Sequence, residues 1–379
     1  MRHAEPLRVL VTGSEGFIGR NLCIRVRESP HFVAIPISRR TTERELQVGI
    51  AECDAVVHLA GVNRPQNPAE FGEINRDFTA QLATMVAARG DDVPVVFASS
   101  TQAASDSPYG RSKRGGEEAL LALVRDPVAQ VHIFRLPNVF GKWSKPDYNS
   151  VVATFCHNIA RGLPIVIRDP ASPLTLVYID DLLDAFMAIL AAHSRGECLP
   201  DGPHRSVQPS YTITVGELAT RLRQFHGARR QLSVDRVGVG FLRALYATYM
   251  SFLPAEDISY LLERHIDPRG AFAEVLRTND SGQISYFTAN PGITRGGHYH
   301  HTKCEKFLVV SGQARFRFRH ALTESAFTLE ASADAPRVVD TAPGWAHDVT
   351  NIGDTELVVL VWASESFDRT HPDTIPCRI

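Results

Sequence analysis

An apolar run at residues 7–11 ends in Thr12-Gly13-Ser14-Glu15-Gly16-Phe17-Ile18-Gly19 and gives way to an amphipathic segment. Glycines at this spacing let a strand turn sharply into a helix and bring backbone amides against a pyrophosphate at the helix amino terminus. The turn therefore predicts a dinucleotide site at Gly13, Gly16, Phe17, Ile18 and Gly19. Short runs rich in valine and isoleucine recur at 32–37, 55–59, 93–98 and 132–136, with helical patterns at 71–89, 116–124 and 150–161. That alternation predicts a doubly wound parallel sheet covered on both faces. At the end of the second strand, where an NAD-preferring site carries an acid, the chain has Ser38-Arg39-Arg40. Guanidinium forks match a 2′-phosphate, so NADPH is the expected cofactor and Arg39 an expected contact.

At 379 residues the chain exceeds what one hydrophobic core supports. The strand–helix rhythm stops in the Gly/Pro/Ser/His-containing stretch 198–210, and helical patterns follow at 215–226 and 239–253. From residue 282 the texture becomes alternating strands at 283–288, 306–310, 314–318 and 356–362, which predicts an all-β barrel or sandwich. The boundary is expected between a dinucleotide-binding domain at 1–252 and a β domain at 253–379. Forty basic against forty-two acidic side chains leave no polyelectrolyte surface, so a nucleic-acid partner is not expected. Nor does any apolar run approach the length of a membrane span, so membrane insertion is not expected either. Residues 1–10 resemble neither a signal nor a transit peptide, and a cytoplasmic location is expected. Six scattered cysteines without CxxC spacing, Cys198 among them, read as reduced thiols. The apolar strand at 356–362 offers a pairing surface for a homodimer.

Two constellations carry chemistry. Ser99-Ser100-Thr101 follows the fourth strand, and Tyr109 stands four residues before Lys113, a spacing that puts phenol and ammonium on one helix face. A lysine there, with the nicotinamide's charge, lowers the phenol pKa so that it can deliver the proton accompanying hydride transfer, while a serine hydroxyl polarises the carbonyl. Five of the fifteen histidines lie between residues 298 and 347. On a strand His298 and His300 share a face, and Glu305 and His347 complete a nitrogen and oxygen shell suited to zinc, manganese, iron or nickel. His301 is a reserve ligand.

Residues 12–19, His58-Leu59-Ala60-Gly61, 99–101, Tyr109-x-x-x-Lys113 and Arg135-Leu-Pro-Asn138-Val-Phe-Gly141 resemble the extended short-chain dehydrogenase/reductase family over residues 7–250. The resemblance implies that Ser100 polarises the carbonyl, Tyr109 is the general acid and Lys113 its partner and ribose ligand. Leu59 and Ala60 become cofactor contacts. Extended members mostly act on nucleotide-linked sugars, which makes Asn138, Lys142, Asn149 and Arg168 candidate substrate contacts. The stretch between serine and tyrosine, residues 102–108, is short and lacks the usual Val-Tyr-Gly.

Gly292-x5-His298-x-His300-x4-Glu305-x6-Gly312 and Ala342-Pro-Gly-Trp-Ala-His347-x3-Asn351 resemble the two cupin motifs, the second departing at Ala342. The implied fold class is α/β plus all-β: an NAD(P)-binding Rossmann-type doubly wound parallel sheet, then a cupin double-stranded β-helix barrel. The implied ligands of one divalent metal, zinc favoured, are His298, His300, Glu305 and His347.

The pairing resembles the bifunctional CapF type of capsular and O-antigen polysaccharide synthesis. Telling segments are Lys142-Trp143 with Pro146-x-Tyr148-Asn149-Ser150, Asp267-Pro-Arg-Gly-x-Phe272-x-Glu274, 291–298, and Phe367-x4-Pro372-Asp373-Thr374. That resemblance implies a UDP-2-acetamido-2,6-dideoxy-4-hexulose substrate, C3 epimerisation in the cupin and NADPH reduction of C4 in the reductase. The product would be a UDP-N-acetyl-L-talosamine-type sugar, a precursor of N-acetyl-L-fucosamine. His301, Lys303 and Tyr299 are candidates for proton transfer, and Glu274 and Arg295 for substrate binding. The alternatives are a reductase or epimerase of another nucleotide-linked keto-sugar with a structural cupin, and a non-catalytic NADP-binding regulatory protein.

Overall fold

The computed structural model describes residues 5–90, 92–122, 130–197, 199, 202–368 and 370–379; Cys198 and the expected helix end at 124 lie outside them. The chain divides into two compact units, residues 1–222 with 244–253, and residues 223–243 with 254–379. Relative to a single cut after residue 252, residues 223–243 go with the second unit.

In the first unit the elements are β1 (Leu7–Thr12), α1 (Phe17–Arg27), β2 (Phe32–Ile37), α2 (Glu43–Glu52), β3 (Ala55–His58), α3 (Phe78–Ala88), β4 (Val95–Ser100), α4 (Pro108–Leu121), β5 (Val131–Leu136), β6 (Asn138–Phe140), α5 (Val151–Ala160), β7 (Pro173–Tyr178), α6 (Ile179–Ser194), β8 (His204–Arg205) and β9 (Tyr211–Thr214). The main sheet has the order β2-β1-β3-β4-β5-β8, every neighbouring pair parallel. On one face Leu10, Val56 and Phe97 pack against Leu46 and Ile50 of α2, Leu82 and Val86 of α3 and Leu120 of α4. On the other, Phe134 of β5 meets Phe186 of α6 edge-on at 5.0 Å. Both faces are covered, so the strands read as continuous apolar runs, as a buried parallel sheet requires.

Two helices depart from the simple pattern. The stretch expected as one helix at 71–89 begins as a π-helical segment, Phe71–Asp77, before α3. Within it stands Asn75, whose buried amide exchanges hydrogen bonds with both the N–H and the carbonyl of Val62, at 2.8 and 2.9 Å. Helix α4 starts earlier than residue 116 because Ser107 caps it, accepting the Gly110 N–H at 3.0 Å, and Pro108 occupies the first turn. Tyr109 therefore sits in the first turn of a helix.

Three elements follow, α7 (Val215–Arg230), β10 (Ser233–Val234) and α8 (Gly240–Met250). The second unit's strands are β11 (His265–Asp267), β12 (Gly270–Thr278), β13 (Gln283–Ala289), β14 (Thr294–Tyr299), β15 (Glu305–Ser311), β16 (Gln313–His320), β17 (Ala326–Ser332), β18 (Val338–Thr341), β19 (Trp345–Asn351), β20 (Leu357–Ala363) and β21 (Ile375–Pro376). They form two sheets, β10-β12-β13-β20-β15-β18 and β17-β16-β19-β14-β21, with one core between them built from Phe287, Phe307, Phe316, Phe318 and Val359 among others. The apolar strand expected to pair with a second copy is β20, and it lies mid-sheet, hydrogen-bonded to β13 on one side and β15 on the other. Its hydrophobicity serves the core, so it gives no support to a dimer.

Phe316 is fully buried between the sheets. Replacing it with alanine is expected to cost about 3–5 kcal/mol, read as a lowered urea midpoint of the second unit's unfolding.

Candidate active sites

The first unit's site begins at the close approach of two backbone turns. Gly13 has φ +66°, and a Cβ there would lie 2.8 Å from the Ala60 nitrogen; one on Gly19 would lie 2.2 Å from the Gly13 carbonyl oxygen. Neither position admits a side chain, which keeps the first-turn amides of α1 open to an anion, with no acidic residue in that turn to compete. Thr12 joins the turns: its hydroxyl accepts the Leu59 and Ala60 N–H groups at 3.1 Å and bonds the buried His58 ring at 2.6 Å. Burial pushes the His58 imidazole down to about 3, with Lys113's charge acting the same way, so this histidine is a neutral strut.

A cavity of about 1120 Å³ opens above these turns at the carboxyl ends of the strands. Gly13, Gly16, Phe17, Ile18, Gly19, Arg39, Leu59 and Ala60 line it, together with Ser100, Tyr109, Lys113, Asn138 and Asn149. Two of the expected substrate contacts stand elsewhere. Lys142 is absent from the lining and pairs with Asp180 at 2.5 Å. Arg168 is exposed and also absent from the lining. Instead the wall carries Trp143, Lys145 and Tyr148, with Lys145 5.6 Å from the Tyr148 ring centre. Trp143, Asp147 and Asn149 all have positive φ, at some cost in strain, and Trp143 and Asn149 line the opening. Three left-handed non-glycine residues within seven positions left no periodicity to read.

Burial raises the Tyr109 phenol from its ordinary value, against a smaller lowering by its hydrogen bond with Ser100. The expected lowering by Lys113 does not appear. The ammonium is directed elsewhere, donating to the Ala98 carbonyl at 2.7 Å and standing 4.8 Å from the Phe97 ring centre. Lys113 is itself pulled down to about 8 by burial, which Glu117 one turn on partly offsets. Glu117 is buried, accepts from Ser99, and takes a bidentate fork from Arg135 at 2.6 and 3.0 Å. Asn75 also reaches this helix: its amide donates to Ser112 Oγ at 3.0 Å, and that hydroxyl donates to the Tyr109 carbonyl at 2.8 Å. The π-helical segment is thereby tied to α4 between the two reactive residues; it escapes the reading of the sequence above, and an asparagine within an apolar helical pattern is the signal that could have found it.

In the second unit His298, His300, Glu305 and His347 come together, each offering one ligand atom and all four within 4.8 Å of one another. His298 faces His347 across the β14–β19 ladder, next to a bulge at Gly296, while Glu305 opens β15 in the other sheet. Both His300 Nε2 and His347 Nε2 stand 3.2 Å from Glu305 Oε2. His300 donates its Nδ1–H to the Asp373 carbonyl and His347 its Nδ1–H to the Trp345 carbonyl, so both Nε2 lone pairs turn inward. His347 Nε2 is buried without a hydrogen-bond partner. Burial would raise the Glu305 carboxyl, but the facing His300 and His347 rings outweigh it and hold it well below the carboxylate range. Burial pushes His298 down to about 4, helped by the neighbouring histidines. Three imidazoles and one carboxylate, with the His298 ring kept neutral by burial, fit a divalent ion.

The remaining candidates separate by exposure. Lys303 is buried with Nζ 4.0 Å from Glu305 Oε1, His301 is exposed, and Tyr299 stacks edge-on to His301 at 5.4 Å. Glu274 is taken up by a bidentate pair with Arg277 at 2.6 and 2.7 Å, and Arg295 is largely buried, donating to the Thr288 carbonyl at 2.8 Å. Both are engaged within the second unit, Arg295 also standing 3.7 Å from Asp267.

Residues 9–200 match the NAD dependent epimerase/dehydratase family, and residues 265–375 match the polysaccharide biosynthesis C-terminal domain. A Pseudomonas aeruginosa UDP-2-acetamido-2,6-beta-L-arabino-hexul-4-ose reductase is 48% identical over 98% of this chain and 99% of its own. The crystal structure of the capsular polysaccharide assembling protein CapF from Staphylococcus aureus is 38% identical, with TM-score 0.89 over 98% of this chain and 100% of that one. A UDP-glucuronic acid 4-epimerase from Bacillus cereus in complex with NAD shares the fold of the first unit, at 17% identity and TM-score 0.55 over 65% of this chain and 98% of that one.

Two outcomes follow from the geometry. Gly19→Ala is expected to weaken NAD(P)H binding at least about tenfold, some 1.4 kcal/mol, in a fluorescence titration. Lys113→Met is expected to raise the urea midpoint at pH 7, since burying the ammonium costs the wild type on the order of 3 kcal/mol. The sign is fixed by the depressed pKa: the unfolded lysine binds more protons between about pH 8 and its ordinary value of 10.5, so wild-type stability rises through that window. In the variant that rise is absent.

Proposed function

The chain belongs to the CapF-type family of polysaccharide-synthesis enzymes, and on that premise we propose that it is a bifunctional enzyme acting on a UDP-linked 4-keto sugar. The second unit epimerises C3 of a UDP-2-acetamido-2,6-dideoxy-4-hexulose. The first unit reduces the C4 ketone with NADPH to a UDP-N-acetyl-L-talosamine-type product on the way to N-acetyl-L-fucosamine for capsule or O-antigen. The division of labour follows a boundary near residues 252 and 253. The observation that carries the reading is the convergence of Ser100, Tyr109 and Lys113 on one nucleotide-sized cavity in a chain that also assembles His298, His300, Glu305 and His347.

The order of steps follows from carbonyl chemistry. A C4 ketone acidifies the C3 proton, so a base can remove it and the enediolate can be reprotonated on its other face; once C4 is reduced, that route is closed. Lys303, buried beside Glu305, is the proton-transfer group we favour over exposed His301 and over Tyr299. A divalent ion, zinc favoured, would supply positive charge at the histidine cluster, and we assign it an orienting and bracing role. NADPH, held at Gly13, Gly16 and Gly19 with Arg39 toward a 2′-phosphate, would supply hydride to C4. Ser100 orients the carbonyl by its hydroxyl, and Tyr109, raised and therefore protonated before the cofactor arrives, delivers the proton. Lys113 holds the ribose from the cavity floor. Trp143, Lys145 and Tyr148 join Asn138 and Asn149 as contacts for the nucleotide-sugar. The expected setting is the cytoplasm, and the expected assembly a homodimer on the family resemblance.

Incubation with the 4-keto sugar in deuterated water tests both halves. Deuterium at C3 without NADPH, and NADPH oxidation when it is added, are the expected results by proton NMR and absorbance. NADPH oxidation with no C3 exchange would leave a reductase alone. Tyr109→Phe is expected to slow reduction by about 10²–10⁴ with C3 exchange retained. Lys303→Met is expected to do the reverse.

A further inference from the structure

The last residues of the chain form one wall of the histidine cluster. β21 runs antiparallel to β14, with Pro376 opposite His298 and Ile375 opposite Tyr299, and the Cys377 N–H donates to the Gly297 carbonyl at 2.8 Å. Just upstream, Asp373 acts through backbone and side chain together. Its carbonyl oxygen accepts the Nδ1–H of His300. Its carboxylate accepts three consecutive backbone N–H groups, from His301 and Thr302 at 2.8 Å and Lys303 at 2.9 Å, and the Thr302 hydroxyl at 3.1 Å.

We propose that Asp373 is a positioning residue for the metal centre, through which the carboxy-terminal segment and the bound ion stabilise each other. The inference deepens the proposed function and rests on its assignment of a metal to this cluster. Residues 301–304 are the short turn between His300 and Glu305, so a clamp on three of its amides sets the separation of two ligands. The Asp373 carbonyl also takes up the Nδ1–H of His300, which leaves Nε2, 3.2 Å from Glu305 Oε2, as the ring nitrogen that would coordinate an ion. Partners of this kind behind a ligand are worth about 10–100-fold in metal affinity. Because coupling between two binding events is reciprocal, the ion in turn holds the tail.

The test uses the full chain, stripped of metal and titrated with zinc against a chromophoric chelator, and loaded separately with cobalt for its visible spectrum. Asp373→Ala is expected to weaken zinc about 10–100-fold and to shift the cobalt bands, with Asp373→Asn, which keeps one acceptor oxygen and the main-chain carbonyl, falling between. On the wild type, carboxypeptidase is expected to release the terminal residues faster without zinc than with it, a readout that stands even where a variant fails to fold. Wild-type zinc uptake with Asp373→Ala within twofold of it and an unchanged cobalt spectrum would overturn the inference alone, as would tail release indifferent to zinc. A wild type that takes up no zinc would overturn the metal assignment and the inference together.

Discussion

A parallel sheet buried on both faces can display reactive side chains only where its strands stop. β1, β3, β4 and β5 all end on the same side, and the glycine turn, His58 to Gly61, Ser99 to Thr101 and the segment after Leu136 are the consequences of those four ends. Ligands of open α/β sheets bind at such carboxyl ends for this reason. The cavity is made of strand termini plus the helix that carries Tyr109 and Lys113.

That arrangement creates an electrostatic problem in the first unit. An ammonium in the cavity floor is costly to bury, and the chain answers with a relay of partners: the Ala98 carbonyl directly, then Glu117 one helical turn away, itself neutralised by Arg135 and hydrogen-bonded by Ser99. The Arg135 fork compensates the Glu117 carboxylate without the lysine, so the desolvation cost rests on the ammonium. The second unit has the opposite difficulty. Three imidazoles and one carboxylate converge there, so an excess of electron-donating atoms points at one spot between two sheets.

The parts of this that were legible in the sequence are those where local spacing alone dictates geometry. Gly13 to Gly19, Tyr109 with Lys113, and His298 with His300 each lie within eight residues, and period or turn chemistry brings them together without knowledge of the rest. Glu305 and His347 became readable through their motif spacing. What escaped depends on partners far away in the chain. Lys142 is claimed by Asp180, thirty-eight residues on; Asn75 works because Val62 and Ser112 stand beside it; Asp373 matters because β21 returns to β14. The apolar strand at 356–362 looked like an interface because hydrophobicity does not say whether a strand is central or at an edge. Trp143, Lys145 and Tyr148 lie on a stretch whose backbone turns left-handed at Trp143, Asp147 and Asn149, which leaves no pattern in residue type.

The short stretch between Ser100 and the capping Ser107 has a counterpart inside the helix that follows. It passes so close beneath α4 that a Cβ on Gly110 would sit 2.3 Å from the Gln102 carbonyl oxygen and 2.5 Å from Ser105 Oγ. Loop and glycine therefore form a single exchangeable part. A chimaera that borrowed a relative's helix with a side chain at position 110 but kept this loop would set that side chain against the Gln102 and Ser105 backbone, and one of the two, next to Tyr109, would have to move.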